Sequence, residues 1–265
     1  MMRSYGMIFL VALLVAAGVC VGADPTGYRD FVAPDAAQSD LKGTVRLVTS
    51  QTFKDTQNSG RKLSVEASTL YDQGGYILEE RSVSLLGGGK SKLLKRVYEG
   101  SGNLIREEET EKGQLVKKKV RLSPEQRTVF WYAESDDSEG GLLEQMTYDR
   151  FGKQAEMRKY DAKGNVTRQY AAKRNEEGKE IEAVISDGNG VPELFVKITW
   201  DERGFIAASE DELKIKKIVV RTINDYPEVD SQGNWLRQTI TRDFYEGARK
   251  TFSTKDIVVR TIEYY

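Results

Sequence analysis

The hexapeptide Tyr148-Asp149-Arg150-Phe151-Gly152-Lys153 is followed, twelve positions on, by Tyr160-Asp161-Ala162-Lys163-Gly164-Asn165. This tandem signal, aromatic-Asp-x-x-Gly-polar, constrains the fold more than any other stretch. Asp suits the first position of a type I turn, because its carboxylate accepts a backbone N–H two residues on. Gly three positions later takes positive φ at little cost. A type I turn followed by a left-handed Gly is a common hairpin connection. The aromatic before Asp closes a strand and packs on its neighbours.

Further copies are Tyr71-Asp72-Gln73-Gly74-Gly75, Tyr98-Glu99-Gly100-Ser101-Gly102-Asn103, Trp200-Asp201-Glu202-Arg203-Gly204 and Val229-Asp230-Ser231-Gln232-Gly233-Asn234. Looser ones start at Arg174 and Ser186. Other turn signals bring the spacing to about 12 residues from Asn58 onward. Short strands at such spacing predict an all-β chain. Hairpin-type turns in succession predict an antiparallel meander, a large curved open sheet or partial barrel. Alternation supports strands: Leu63, Val65, Ala67, Thr69 and Tyr71 share one face, as do Leu194, Val196, Ile198 and Trp200. The turn aromatic then belongs to the core at a sheet end.

Between Tyr71 and Gly233 the copies resemble the tyrosine–aspartate (YD) repeat of Rhs-type secreted bacterial proteins, most closely at Met146-Thr147-Tyr148-Asp149 and Ile198-Thr199-Trp200-Asp201. The resemblance implies long antiparallel sheets that curl into shells, some of which encase toxins.

A stricter repeat lies near the end. Ile218-Val219-Val220-Arg221-Thr222-Ile223 recurs as Ile257-Val258-Val259-Arg260-Thr261-Ile262. It predicts a duplicated strand with Arg221 and Arg260 both on the solvent face.

The N-terminus reads as an export signal: Arg3, an apolar run from Met7 to Ala17, and Val21-Gly22-Ala23 before a cut at Asp24. Residues 1–23 are the predicted signal peptide, and the run is short for a membrane span. Cys20, the sole cysteine, falls inside it, with lipidation there the less favoured alternative. Residues 24–43, with Pro25, Gly27 and Pro34, read as a flexible leader or linker. Residues 44–265 form the predicted β-repeat domain.

Composition bounds the chemistry. The 265 residues include no His, which removes Ser-His-Asp and Cys-His catalysis and histidine metal sites. The formal net charge is −1; without Arg3 it is −2, from 39 basic and 41 acidic residues. That balance argues against a nucleic-acid or anionic-membrane footprint. Gly87-Gly88-Gly89-Lys90-Ser91 has the wrong spacing for a phosphate loop and reads as a glycine turn. Asp136, Asp137 and Glu139, or Asp187 and Asn189, carry oxygen ligands suited to calcium, but lack a binding-loop spacing and read as solvated turns. No cofactor or metal is expected, and no catalytic residue is assigned.

Val129-Phe130-Trp131-Tyr132 is the densest aromatic stretch. Alternation sends one parity to the core and the other outward, so Trp131 and Tyr132 are the candidate ligand or partner contacts. The expectation is an exported, non-catalytic binding or scaffolding module of the bacterial envelope, periplasmic or extracellular, with a protein or glycan partner. Two alternatives stay open: a carboxylate-dependent glycan hydrolase and an immunity-type partner-binding protein.

Overall fold

The computed structural model describes residues 28–39, 41–56, 60–85, 90–99, 102–111, 114–134 and 139–265. The export signal, Cys20 and the acidic turn 135–138 lie outside the described residues. Two short helices come first, α1 (Tyr28–Phe31) and α2 (Asp35–Gln38). Eight strands follow: β1 (Val45–Thr56), β2 (Gly60–Tyr71), β3 (Ile77–Ser84), β4 (Lys90–Tyr98), β5 (Leu104–Glu111), β6 (Gln114–Ser123), β7 (Thr128–Glu134) and β8 (Glu139–Tyr148). The second eight are β9 (Gln154–Tyr160), β10 (Val166–Arg174), β11 (Glu180–Asp187), β12 (Pro192–Trp200), β13 (Ile206–Leu213), β14 (Ile218–Val229), β15 (Trp235–Glu246) and β16 (Arg249–Tyr264).

Each strand pairs antiparallel with its sequence neighbours, as the hairpin series predicts. The open sheet or partial barrel is corrected. β16 pairs back onto β1, from Val45 opposite Tyr264 to Asp55 opposite Lys255, and the wall closes. Bulges supply the curvature. Opposite Leu70 and Tyr71 stand Glu79 and Ile77, so Leu78 is an extra residue. Ile105, Ala155, Ala207 and Leu236 are extra in the same way after their own turns. A bulge bends its strand and increases the local twist. Repeated after the closed-end turns of five hairpins, it helps roll the meander into a barrel.

The turns form as predicted. Gly164 has φ +81° and its N–H bonds the Asp161 carbonyl at 3.0 Å. The Asp161 carboxylate accepts two backbone N–H groups, from Lys163 and Asn165, at 2.8 and 2.9 Å. Asp149, Asn175, Asp187, Asp201 and Asp230 repeat that pair of bonds. Most of these turns share one end of the barrel. There the residue after Gly folds inward, and Tyr76, Lys153, Phe205 and Asn234 are all buried.

Burial differs from strand to strand. Every position of β13 is half-buried, and so is all of β15 except Glu246, whereas β14 between them buries Val220, Thr222 and Tyr226 and exposes Arg221, Ile223 and Asp225. A closed sixteen-stranded barrel has the girth to enclose a lumen. The fully packed residues gather instead at the end that carries the Asp-Gly turns.

Two other readings are corrected. Residues 28–41 are not a flexible leader: Tyr28 is 2% exposed and Val32, Ala36 and Leu41 are buried. The hexapeptide repeat is not a duplicated strand. Val220 and Thr222 face inward in β14, whereas in β16 it is Val258 and Arg260 that do. The two copies sit one residue out of phase, which exchanges their faces. Arg221 stays outside, 2.9 Å from Glu210, while Arg260 lies inside on the Trp235 ring.

Candidate functional site

The N-terminal segment crosses the barrel mouth. The Tyr28 amide donates to Asn103 Oδ1 in the β4–β5 turn at 2.8 Å. Ala33 N–H reaches Gly152 O in the β8–β9 turn, and Ala36 N–H reaches Gly75 O in the β2–β3 turn, each at 2.8 Å. On the far side Lys42 and Asn234, in the β14–β15 turn, exchange two bonds of 2.6 and 2.8 Å. Four turns around the circle are thereby tied to one segment. Tyr28 and Val32 pack with Tyr76, Leu104, Val129, Trp131 and Tyr148. The Arg29 guanidinium pairs with Asp72 and lies 4.3 Å over the Tyr76 ring, a favourable cation–π position. This end is closed.

Charged side chains line the lumen immediately inside the closure. Arg96 bridges Asp35 of the segment, at 2.8 Å, and Glu107 of the wall, at 3.2 Å. Lys118 stands 3.2 Å from Glu107, 3.2 Å from Glu109 and 3.4 Å from Glu144. Burial alone would pull the Lys118 ammonium down, but Glu107, Glu144 and Glu109 outweigh it and hold its pKa above the ordinary lysine value. Across the lumen, Arg242 pairs with Asp256 at 2.5 Å. Between these charges the inner face is mixed: Val65, Leu94, Val120, Met146, Val196, Val220 and Val258 share the parity of Trp131, and so do Thr52, Glu80, Ser84 and Gln238. Arg260 lies in an aromatic corner with Trp235 and Tyr226, and burial lowers its pKa to about 10.

Asp211 is the strained member. Its Oδ1 is buried without a hydrogen-bond partner among the described residues. Burial raises the pKa of its carboxyl group, against the opposing pull of Ser209 and Arg242. A carboxyl whose native pKa is raised binds its proton more tightly folded than unfolded. Its contribution is favourable below the unfolded value, about 4, and is lost as pH rises through the native value. Asp211→Asn therefore raises the melting temperature at pH 7 and leaves it unchanged near pH 3. Equal melting curves for variant and parent at pH 7 would refute the assignment.

The two aromatic contacts read from sequence part company. Trp131, 3% exposed, pairs with Val120 and Glu144 and is buried in the cluster at the closed end. Tyr132 faces outward between Lys119 and Leu142, half-buried. Asp187 spends its carboxylate on the amides of Asn189 and Val191, the solvated turn read above. Among the described residues no three acids, Cys or His gather as a metal site. Two shallow grooves on the outer wall, of about 390 and 240 Å³, are lined mainly by small or polar side chains. The lumen charges were not picked out from sequence. Their signal was present: Arg96, Glu107 and Lys118 are charges at strand parities otherwise occupied by Leu94, Val120 and Leu122.

No protein-family model matches the chain, and no curated protein matches its sequence. Among solved structures it is similar to a porin-like protein from Bacteroides uniformis, at 12% identity and a TM-score of 0.42, over 84% of this chain and 99% of that one. It is also similar to the TcdB2-TccC3 structure, at 9% identity and a TM-score of 0.19, over 73% of this chain and 16% of that one. Neither degree of similarity establishes a shared fold.

Proposed function

We propose that the chain is an exported, non-catalytic binding module of the bacterial envelope, which takes an amphiphilic ligand into a water-immersed barrel. One observation carries this reading: the closed sixteen-strand wall includes strands, β13 and β15, that are part-exposed along their length, while the crossing segment packs over one end. The inner face mixes apolar side chains with polar ones and fixed charges, which suits a molecule with an apolar body and a polar group. The outer wall is not a lipid-facing surface. Arg81–Glu79, Arg106–Glu108, Lys173–Glu182 and Arg221–Glu210 lie along it as exposed ion pairs. A Lys or Arg facing lipid at the bilayer centre costs about 2–4 kcal/mol.

The hydrolase alternative loses ground to the same charges. Glu107, Glu109 and Glu144 are held by Lys118, and Asp256 by Arg242. Such fixed pairs supply neither a free acid nor a free base. The immunity alternative loses the exposed strand edge that would have favoured it, because β1 and β16 pair with each other. Tyr132 stays in the proposal as the outward candidate for a partner contact.

Adjacent leucines test the lumen. Leu94 faces inward between Glu80 and Glu109, and Leu93 faces outward between Arg81 and Thr110. In a fluorescence titration with the apolar probe N-phenyl-1-naphthylamine, Leu94→Arg weakens uptake about tenfold or more (about 1.4 kcal/mol), and Leu93→Arg leaves it unchanged. Equal behaviour of the two variants, or no uptake by the parent, would sink the lumen reading. Export is tested apart from it: mass spectrometry of the envelope fraction shows Asp24 as the first residue, whereas a full-length cytoplasmic product would overturn that half.

A further inference from the structure

We propose that one sector of the open rim docks the barrel on an anionic lipid surface. The rim opposite the closed end consists of the connections β1–β2, β3–β4 and so on to β15–β16. Ile215 at the tip of the β13–β14 turn is 76% exposed, Phe252 at the start of β16 is 53% exposed, and Leu85 after β3 is 45% exposed. Phe252 stacks on Phe244, with ring centroids 4.0 Å apart, on the lumen side of the rim, the face shared with Val220. Lys217 holds the β13–β14 turn with φ +51°, a left-handed conformation that non-glycine residues seldom take, and Ile215 stands at its tip.

Basic residues accompany these points. Lys216 and Lys217 follow Ile215, Arg249 lies three residues before Phe252, and Arg61 and Lys90 stand at the start of the returning strands of the next two hairpins. All five are exposed. In barrel order the hairpins β13–β14, β15–β16, β1–β2 and β3–β4 are consecutive. The acids there are fewer: Asp55 and Glu246 are exposed, and Glu212 is bonded to Lys214 at 2.6 Å. The acidic sequence Asp136-Asp137 belongs to the β7–β8 connection, outside the described residues and half-way round the strand order from β15–β16.

Exposed apolar side chains at the rim among lysines and arginines match a membrane interface. The apolar groups enter the headgroup boundary while the cations stay with lipid phosphates. The overall balance of 40 basic and 41 acidic residues hides this sector, because the Asp-x-x-Gly turns place much of the acid at the closed end. The inference does not depend on what the lumen holds.

Vesicle flotation of the full chain decides it, with phosphatidylcholine vesicles containing or lacking phosphatidylglycerol. The parent floats with the anionic vesicles at least tenfold more than with the neutral ones. Ile215→Glu with Phe252→Glu, and separately Lys216→Glu with Lys217→Glu, each reduce flotation about tenfold. Ile223→Glu, on the outer wall where Ile223 is 61% exposed, leaves it unchanged. Circular dichroism confirms that each variant keeps its sheet. Equal flotation of parent and rim variants, including flotation driven by the apolar N-terminal stretch, would overturn the proposal. So would a concentration-dependent dimer that Ile215→Glu with Phe252→Glu abolishes without changing flotation, since that assigns the rim to a second copy.

Discussion

Trp131→Ala lowers the unfolding free energy by about 3–5 kcal/mol, the range for removing a large aromatic from a packed core, and Tyr132→Ala by less than about 1 kcal/mol. Adjacent residues of one strand differ this much because β7 separates two environments. Trp131 belongs to the cluster that joins the crossing segment to the wall, with Tyr28 and Val32 on one side and Val129 and Tyr148 on the other. Alanine there leaves a cavity that the surrounding rings and bonded turns cannot collapse to fill. Tyr132 has Lys119 and Leu142 beside it and water beyond. Denaturant melts of the two variants give the comparison directly. Equal losses would mean that β7 is buried on both faces.

Arg96→Met costs about 3–5 kcal/mol, because removing one partner of a buried ionic group leaves the others uncompensated. The guanidinium is the one link between Asp35 of the segment and Glu107 of the wall. Glu107 keeps Lys118, but Asp35 keeps only the Ile77 amide, at 2.9 Å. The destabilisation concentrates at the closed end, so limited proteolysis between residues 28 and 41 quickens before the melting temperature falls to match. Adding Asp35→Leu to Arg96→Met removes the stranded charge and recovers part of the loss, a coupling that a double-mutant cycle measures. Strict additivity of the two changes would show that the pair is not coupled.

Much of the wall was legible in the chain. Asp161, Gly164 and their repeats state a local rule, that a short acceptor followed by a left-handed glycine reverses the backbone, and local rules survive in any fold. The inward aromatic followed from alternation. Closure did not, because the bulged residues Leu78, Ile105, Ala155, Ala207 and Leu236 have no side-chain chemistry in common; what they share is a position after a turn. The hexapeptide misled for a related reason. Six identical side chains keep their order but not their phase, and one residue of slippage sent Arg260 to an aromatic corner while Arg221 met water. The N-terminal segment was disguised by Pro25, Gly27 and Pro34. Its apolar spacing, Tyr28 to Val32 to Ala36, was the better guide.

At the candidate site the sequence pointed to one strand and could not choose a face. Trp131 and Tyr132 were both named, and the register turns Trp131 into the buried cluster and Tyr132 outward. The lumen charges escaped because each pairs with a residue on another strand, and pairing is a property of register. Near-neutral charge likewise said nothing of where the charges lie.

The seam between β1 and β16 makes the first strand of the wall wait for the last. Tyr265 donates its amide to Thr44 O at 3.0 Å and its hydroxyl to Tyr71 O at 2.6 Å, across 194 residues of sequence. Every other pairing is between neighbours in the chain and can form in the order of synthesis. This one cannot form until β16 has been made. Until then the sheet has two bare edges, and each is a template for pairing with another chain. Loop-closure entropy adds little beyond a certain length, so delay rather than energy is the hazard. The final step of assembly is thus the one most open to interception.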